Sequence, residues 1–142
     1  GYAMLCSRAI VFSLGEGAMP IIDHERVPEV PWRPGYRKWD LVGPRVGMSS
    51  NLSYSIAEVG TGAPLHLHQD EELIVVLEGT LEARSGDEVH IVGPGHTLAI
   101  PQQVPHGFTV IGEGAARLLV FFPVPDPFSW TTYLEGSPAA QR

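Results

Sequence analysis

The amino-acid sequence predicts an all-β fold, a small sandwich or barrel built from short strands. The chain has 142 residues, of which 16 are glycine and 13 are proline, well above the combined share of about 12% in average proteins. These residues divide the chain at short intervals. The apolar runs between them are rich in β-branched residues and show no sustained helical periodicity.

Each strand is predicted from an apolar run that ends at a turn signal. In chain order the predicted strands are residues 52–59, 73–77, 80–84, 88–92, 97–100, 107–111 and 115–122. Glycine-containing turns separate them at 60–62, 78–79, 85–87, 93–95 and 112–114, and a further short turn is expected after Pro127. Strands at this spacing are typical of sandwiches and barrels.

Three regions are expected along the chain. Residues 1–47 are predicted to be an N-terminal extension with a Pro-rich arm, residues 48–125 the barrel, and residues 126–142 a tail packing on or near it. Prolines 20, 28, 31, 34 and 44 argue against any helix or central strand in the arm. The arm carries three aromatic residues, Trp32, Tyr36 and Trp39, expected to pack over a barrel mouth or a partner subunit. The segment at Met19 is typical of a natural start, which would make residues 1–18 an upstream extension.

The charge and cysteine content exclude several function classes. With 9 Lys+Arg against 16 Asp+Glu, the net charge is −7, so no nucleic-acid partner and no anionic membrane surface is expected. The charge-free stretch 91–112 is interrupted by glycine and proline and predicts no membrane span. The single cysteine, Cys6, cannot form an intrachain disulfide, which favours a reducing compartment and a cytoplasmic location.

A histidine and carboxylate cluster predicts a metal site. His66 and His68 lie on one face of a strand, with Cα atoms about 6.6 Å apart. Glu72 follows four residues on, and His106 lies 34 residues beyond it at the end of a Pro-rich loop. Three imidazoles and one carboxylate suit Fe(II), Mn(II), Ni(II), Co(II) or Zn(II), but not Ca(II) or Cu(I). Such a set leaves coordination positions open, as catalytic sites require.

The other glutamate and histidine residues near this pattern are not expected to bind the metal. Glu71 would lie on the opposite side of the strand from Glu72, and we expect it to face solvent. The remaining histidines, His24, His90 and His96, are expected to be ordinary surface or core residues.

The spacing of these residues resembles the two sequence motifs of the cupin superfamily. The first motif is matched at every position by Gly60-x5-His66-x-His68-x3-Glu72-x6-Gly79. The second is matched in part by Gly95-x5-Pro101-x-Gln103-x2-His106-x3-Val110, in which Gln103 and Val110 replace the usual glycine and asparagine. The resemblance covers about residues 50–123.

This resemblance implies a double-stranded β-helix, or small jelly-roll barrel, of the single-domain quercetin-dioxygenase-like type. It implies one divalent transition metal on His66, His68, Glu72 and His106, with Fe expected first and Mn, Ni, Zn or Co as alternatives. The expected function is a dioxygenase acting on a small diketone, catechol or flavonol-like molecule, with Glu72 as ligand and catalytic base. A non-redox isomerase, cyclase or lyase is the alternative, followed by a non-catalytic ligand-binding cupin.

The substrate pocket and the oligomer are predicted from the strand pattern. Tyr54, Phe108 and Phe121 are candidate pocket residues, although alternation lets only one of Phe121 and Phe122 face inward. Exposed edge strands and the frequency of twofold dimers favour a homodimer, with the Pro-rich arm laid across the second subunit.

Overall fold

The computed structural model describes residues 19–136 as eleven β-strands and two 3₁₀ helices, with no α-helix among these residues. The 3₁₀ helices are His24–Arg26 and Pro44–Val46. The strands are β1 (Glu29–Arg33), β2 (Tyr36–Val42), β3 (Asn51–Ala57), β4 (Gly62–His68), β5 (Glu72–Glu78), β6 (Thr80–Ser85), β7 (Glu88–Val92), β8 (Thr97–Ile100), β9 (His106–Ile111), β10 (Ala116–Phe122) and β11 (Thr131–Tyr133). The proposed extension, residues 1–18, lies outside the described residues.

The strands form two antiparallel sheets that enclose one core. The larger sheet has the order β1-β2-β3-β10-β5-β8, and the smaller has the order β11-β4-β9-β6-β7. The inward side chains of both sheets form the core, which includes Ile74, Leu81, Val110, Leu118 and Phe122. The predicted all-β jelly roll is therefore confirmed. All seven predicted strands are present, with ends within two residues of their predicted bounds.

The prediction that the arm contains no central strand is wrong for β2, which lies between β1 and β3 in the larger sheet. The prolines are accommodated because of where they lie. Pro31 lies in the edge strand β1, at the shift in register between Val30 and Arg33, where a missing amide interrupts no central ladder. Pro34 and Gly35 form the turn between the two strands. The tail also contributes a strand, β11, which pairs with β4.

Two glycines allow β4 and β9 to approach closely. A Cβ at Gly62 would lie 1.9 Å from the carbonyl oxygen of Phe108, and one at Gly107 would lie 2.8 Å from that of Ala63. No side chain fits at either position. The close pairing places His66 directly opposite His106.

No helix within residues 19–136 combines the length and the apolar character needed to cross a membrane.

Candidate metal centre

Three strands meet at one end of the barrel and bring four side chains together. His66 and His68 lie at the end of β4, while Glu72 and His106 begin β5 and β9. One potential ligand atom from each residue lies within 4.8 Å of the others. All four side chains are buried, with 1% of His68 and at most 9% of any of the four exposed. The cluster could therefore hold one divalent metal ion.

The three imidazole rings are oriented by the backbone. Nδ1 of His66 donates to the carbonyl of Pro64 (2.7 Å), Nδ1 of His68 to that of Asp70 (2.7 Å), and Nδ1 of His106 to that of Val104 (2.8 Å). A carbonyl oxygen only accepts, so each Nδ1 carries a proton, and a ring in its neutral form presents the lone pair of Nε2 to the cluster. Metal-binding histidines are commonly fixed in this way.

The carboxylate contacts within the cluster are those expected of neighbouring metal ligands. Oε1 of Glu72 lies 3.0 Å from Nε2 of His68 and 3.0 Å from Nε2 of His106. Neutral rings with lone pairs at Nε2 cannot donate to this oxygen, so a proton or a metal cation must lie between the groups. Ligand atoms each about 2.1 Å from one ion are about 3.0 Å apart when they lie at right angles. The donor set therefore fits a divalent transition metal.

Burial and mutual contacts set the protonation of the cluster. Burial is the main reason that the pKa of His66 is lowered to about 4, so this ring is neutral at pH 7. Burial raises the pKa of Glu72, but hydrogen bonds from His106 and His68 outweigh it and the net pKa is lowered. Burial lowers the pKa of His68, but its bond to Glu72 reverses this and the net pKa is raised. Glu72 is thus ionised at neutral pH.

A cavity of about 50 Å³ lies beside the cluster, with room for three to five water molecules at about 10–15 Å³ each. His66, Glu72 and His106 form part of its wall. The remaining lining is largely aromatic or polar and includes Trp32, Tyr36, Lys38, Ser53, Ser55, Phe108, Phe128 and Tyr133. The aromatic rings limit the access of water to the cluster.

One of the three predicted pocket residues lies in this cavity and two do not. Phe108 is buried in the cavity wall. Tyr54 lies on the outer face of β3, where its ring packs 5.8 Å from that of Trp39 and its hydroxyl accepts a hydrogen bond from Arg117. Phe121 also faces outward, and Phe122 points inward with its ring 5.4 Å from that of His68. The alternation of side chains along β3 and β10 explains why Tyr54 and Phe121 face outward. Ser53 and Ser55 occupy the inward positions on either side of Tyr54, and Phe122 occupies the inward position after Phe121.

Several cavity residues were missing from the predicted pocket. Tyr36 and Lys38 alternate on the inward face of β2, a pattern hidden by reading the region as an arm. Phe128 and Tyr133 come from the tail, and the ring of Tyr133 stacks on His66 at 5.6 Å. Period-two spacing of Tyr36 and Lys38 was the available signal for β2.

The remaining acidic and histidine candidates lie outside the cluster, at the surface. Glu71 is exposed beside the buried Glu72, and His24, His90 and His96 are all exposed.

Gln103 occupies the position at which the second cupin motif usually has glycine. Its φ is +62°, and it is the only non-glycine residue between 19 and 136 with a positive φ. The backbone N–H of Gln103 donates a hydrogen bond to the backbone carbonyl of His68 at 2.9 Å. The left-handed conformation explains why glycine is favoured there, and the substitution leaves the position of His106 intact.

Comparisons with known proteins agree with this architecture. The Cupin domain family model matches residues 54–122. The polyketide cyclase RemF from Streptomyces resistomycificus superposes with a TM-score of 0.71 at 24% identity, covering 84% of this chain and 87% of that one. An RmlC-like cupin from Shewanella frigidimarina gives a TM-score of 0.65 at 16% identity, covering 81% and 96%. No curated protein sequence matches the chain.

A larger protein contains a similar unit. Oxalate decarboxylase from Bacillus subtilis superposes with a TM-score of 0.69 at 21% identity over 86% of this chain, which spans 34% of that protein. A structure of that enzyme concerns its Mn(II) centres. These likenesses describe the fold. The family model places a Cupin domain at residues 54–122, a range that includes all four residues of the histidine and glutamate cluster.

Proposed function

We propose that this cupin is a divalent-metal-dependent enzyme acting on a small oxygenated organic molecule. One observation carries the proposal: three imidazoles, each fixed through Nδ1, direct Nε2 toward the same region as the Glu72 carboxylate, beside a cavity. A purely structural metal site has no need of an adjoining cavity, whereas a catalytic site needs room for substrate.

His66, His68, Glu72 and His106 would hold the metal. When bound, the ion would supply Lewis-acid polarisation of a substrate oxygen and, as Fe(II), a means of using O2. Fe is our first candidate, and Mn, Ni, Zn and Co share the same ligand preferences. The Mn(II) centres of the similar oxalate decarboxylase support including Mn in any test.

The chain's own residues would position the substrate and handle protons. Glu72 is ionised at neutral pH, so it can bind a cation and accept a substrate proton. Burial is the main reason that the pKa of Tyr36 is raised to about 12. Its hydroxyl therefore stays protonated and can donate a hydrogen bond to a substrate oxygen. Phe108, Trp32 and Phe128 would pack against the carbon skeleton and exclude water.

We propose dioxygenation as the reaction. The substrates considered are molecules with adjacent oxygens, such as a diketone, a catechol or a flavonol. Two features support this choice. The nitrogen-rich ligand set suits Fe(II), and aromatic side chains line the cavity, so a planar molecule that enters it could pack against them.

A non-redox reaction is the second candidate, and the likeness to the polyketide cyclase RemF favours it. That likeness extends over most of both chains. The same ionised Glu72 and protonated Tyr36 could remove and return protons during a cyclisation or an isomerisation, with no need for O2.

Oxygen uptake separates the two reactions. The protein is loaded in turn with Fe(II), Mn(II), Ni(II), Co(II) and Zn(II) and mixed with diketones, catechols and flavonols, while O2 and substrate are both followed. Substrate loss matched by O2 uptake supports the dioxygenase, and substrate loss without uptake supports the cyclase or isomerase. Metal binding with no conversion would favour a ligand-binding cupin. His106→Ala serves as the inactive variant and His96→Ala, an exposed histidine, as its matched control.

We also propose that two copies associate through the outer face of the larger sheet. Leu73 and Leu77 are 36% and 46% exposed there, and Leu73 pairs with Phe121 on the neighbouring strand β10. A mass of two chains by light scattering, reduced to one by Leu77→Asp, would support this. A single-chain mass for the wild type would contradict it. The cytoplasmic location also stands as a proposal and rests on the single cysteine of the sequence.

A further inference from the structure

Lys38 is a buried cation in the wall of the cavity that adjoins the metal cluster. It lies in β2, on the inward face shared with Tyr36, and only 6% of the residue is exposed. His66 and Glu72 line the same cavity. Lysine is almost never fully buried without a partner, because removing an ammonium group from water is costly. Its burial here therefore calls for a compensating interaction.

The contacts of Lys38 position its ammonium group but leave its hydrogen-bonding capacity unfilled. Nζ lies 4.2 Å from the ring centroid of Trp32 and 4.5 Å from that of Phe128, within cation–π range of both. Asp40 supplies the only carboxylate within 4 Å among residues 19–136, at 3.6 Å. That distance exceeds an ordinary hydrogen bond. The ammonium has three donors, so it can still bind an acceptor that enters the cavity.

The charges around the cavity favour an anion as that acceptor. Lys38 and Arg33 are the basic residues of the cavity wall, Glu72 is its carboxylate, and Asp40 lies beside Lys38. With a divalent ion on the histidine and glutamate cluster, these groups would carry two net positive charges. A bound anion would offset part of that charge. Ser53 and Ser55 add hydroxyl groups to the same wall.

We propose that Lys38 binds a carboxylate of the substrate, so that the enzyme selects acidic substrates over neutral molecules of the same shape. The two aromatic rings fix the position of the ammonium group. Burial lowers the pKa of Lys38, and the Asp40 carboxylate opposes this shift and favours the charged form. This inference rests on the proposed function, since it places the carboxylate beside a loaded metal site. It assigns Lys38 as a substrate-binding residue and defines the substrate class as small oxygenated acids.

The test compares two ligands that differ in charge but hardly in shape. Pyruvate and its neutral analogue pyruvamide have the same number of non-hydrogen atoms. Each is titrated by calorimetry into protein loaded with one equivalent of Co(II), whose visible spectrum reports the metal site independently. The proteins are the wild type, Lys38→Met, Lys38→Arg and Arg37→Met. Arg37 is the matched control, because it is the neighbouring cation on β2 with an exposed side chain.

We expect the wild type to bind pyruvate at least tenfold more tightly than pyruvamide. Lys38→Met should lose this preference by weakening pyruvate alone, while Lys38→Arg should keep most of it and Arg37→Met all of it. The inference is overturned if the wild type shows no preference, if Lys38→Met retains it, or if Lys38→Met weakens both ligands equally.

Lys38→Gln provides a second test that does not depend on the folding of Lys38→Met. Its amide can donate a hydrogen bond but carries no charge, so pyruvate should bind at least threefold more weakly than to the wild type while pyruvamide binding is unchanged. Unchanged pyruvate binding, or equal weakening of both ligands, would contradict the inference. Cobalt content is measured in every sample. A wild type that takes up no Co(II) would refute the proposed metal-dependent function, whereas Co(II) uptake without charge selection would refute only the role of Lys38.

Discussion

Nε2 of His106 lies 3.0 Å from Oε1 of Glu72, although 34 residues separate them in the chain. Glu72 begins β5 in the larger sheet and His106 begins β9 in the smaller one. The contact therefore joins the two sheets at the end of the barrel where the metal cluster lies. Loss of either side chain should therefore weaken metal binding more than it destabilises the fold.

The first prediction concerns His106. In protein purified without an affinity metal column, we expect near-stoichiometric metal in the wild type and a loss of affinity well beyond tenfold in His106→Ala. Removing a residue that only supports a metal ligand costs about 10- to 100-fold, and His106 is itself a candidate ligand. Elemental analysis measures the effect. His96→Ala removes an exposed imidazole that hydrogen-bonds to the backbone of Gly93, and this variant should keep its metal. Equal loss in both variants would contradict the assignment.

The second prediction concerns pH and the metal-free protein. Burial lowers the pKa of His66 to about 4, below the usual value of about 6.5 in the unfolded chain. Between these values the unfolded state binds more protons, so stability falls as the pH falls. From pH 7 to pH 4.5 this should cost the wild type about 2 kcal/mol more than His66→Gln. Urea unfolding in the presence of a chelator measures the difference, and parallel pH profiles for the two proteins would contradict it.

The third prediction concerns the close approach of β4 and β9. A Cβ at Gly62 would lie 1.9 Å from the carbonyl oxygen of Phe108, so Gly62→Ala must push the two strands apart. We expect a loss of about 2 kcal/mol in unfolding free energy, together with weaker metal binding. Gly114→Ala is the matched control, because a Cβ there meets nothing within 4 Å. Equal stability of the two variants in urea would argue against this account of the strand pairing.

The fourth prediction concerns Gln103, which adopts φ +62°. Left-handed backbone costs a residue with a Cβ about 1 kcal/mol or more, and glycine avoids that cost. Gln103→Gly should therefore raise the unfolding free energy, by up to about 1 kcal/mol once the greater freedom of the unfolded glycine is included. The thermal midpoint and urea unfolding both report this change. A clear loss of stability would mean that the Gln103 side chain makes a contact more valuable than the strain it bears.

The fifth prediction concerns Phe128, whose ring packs 5.2 Å from that of Trp32 and 5.5 Å from that of Phe122. The cavity of about 50 Å³ is small for a catechol, so larger ligands require the tail to move. Phe128→Ala should speed the binding of 4-nitrocatechol to the Co(II)-loaded protein at least threefold, as followed by its absorbance. Trp130→Ala removes a neighbouring side chain that is 70% exposed and should leave the rate unchanged. A slower rate in Phe128→Ala would show that its ring helps to bind the ligand.

Much of the barrel and of its histidine and glutamate cluster could be predicted from the sequence, because turn residues and side-chain alternation are local features of the chain. Glycine-containing turns separate β5, β6, β7 and β8 from one another and β9 from β10, and period-two spacing places His66 and His68 on one face of β4. The same alternation separates Glu72 from Glu71. His106 could be added only because its spacing from a proline and a glycine resembles a family motif, since no local rule pairs it with residues 34 positions earlier.

Tertiary structure decided which residues complete the cavity. A strand's alternation divides its side chains into two faces, but only its partners determine which face is inside. For β3 the inward face is the polar one, with Ser53 and Ser55, and this leaves Tyr54 outside. Proline excludes a residue from a central ladder but not from an edge, so β1 and β2 could join the sheet and bring Lys38 inside. Sequence alone thus predicted the four residues of the histidine and glutamate cluster, whereas sheet pairing between distant segments decided which side chains face that cluster.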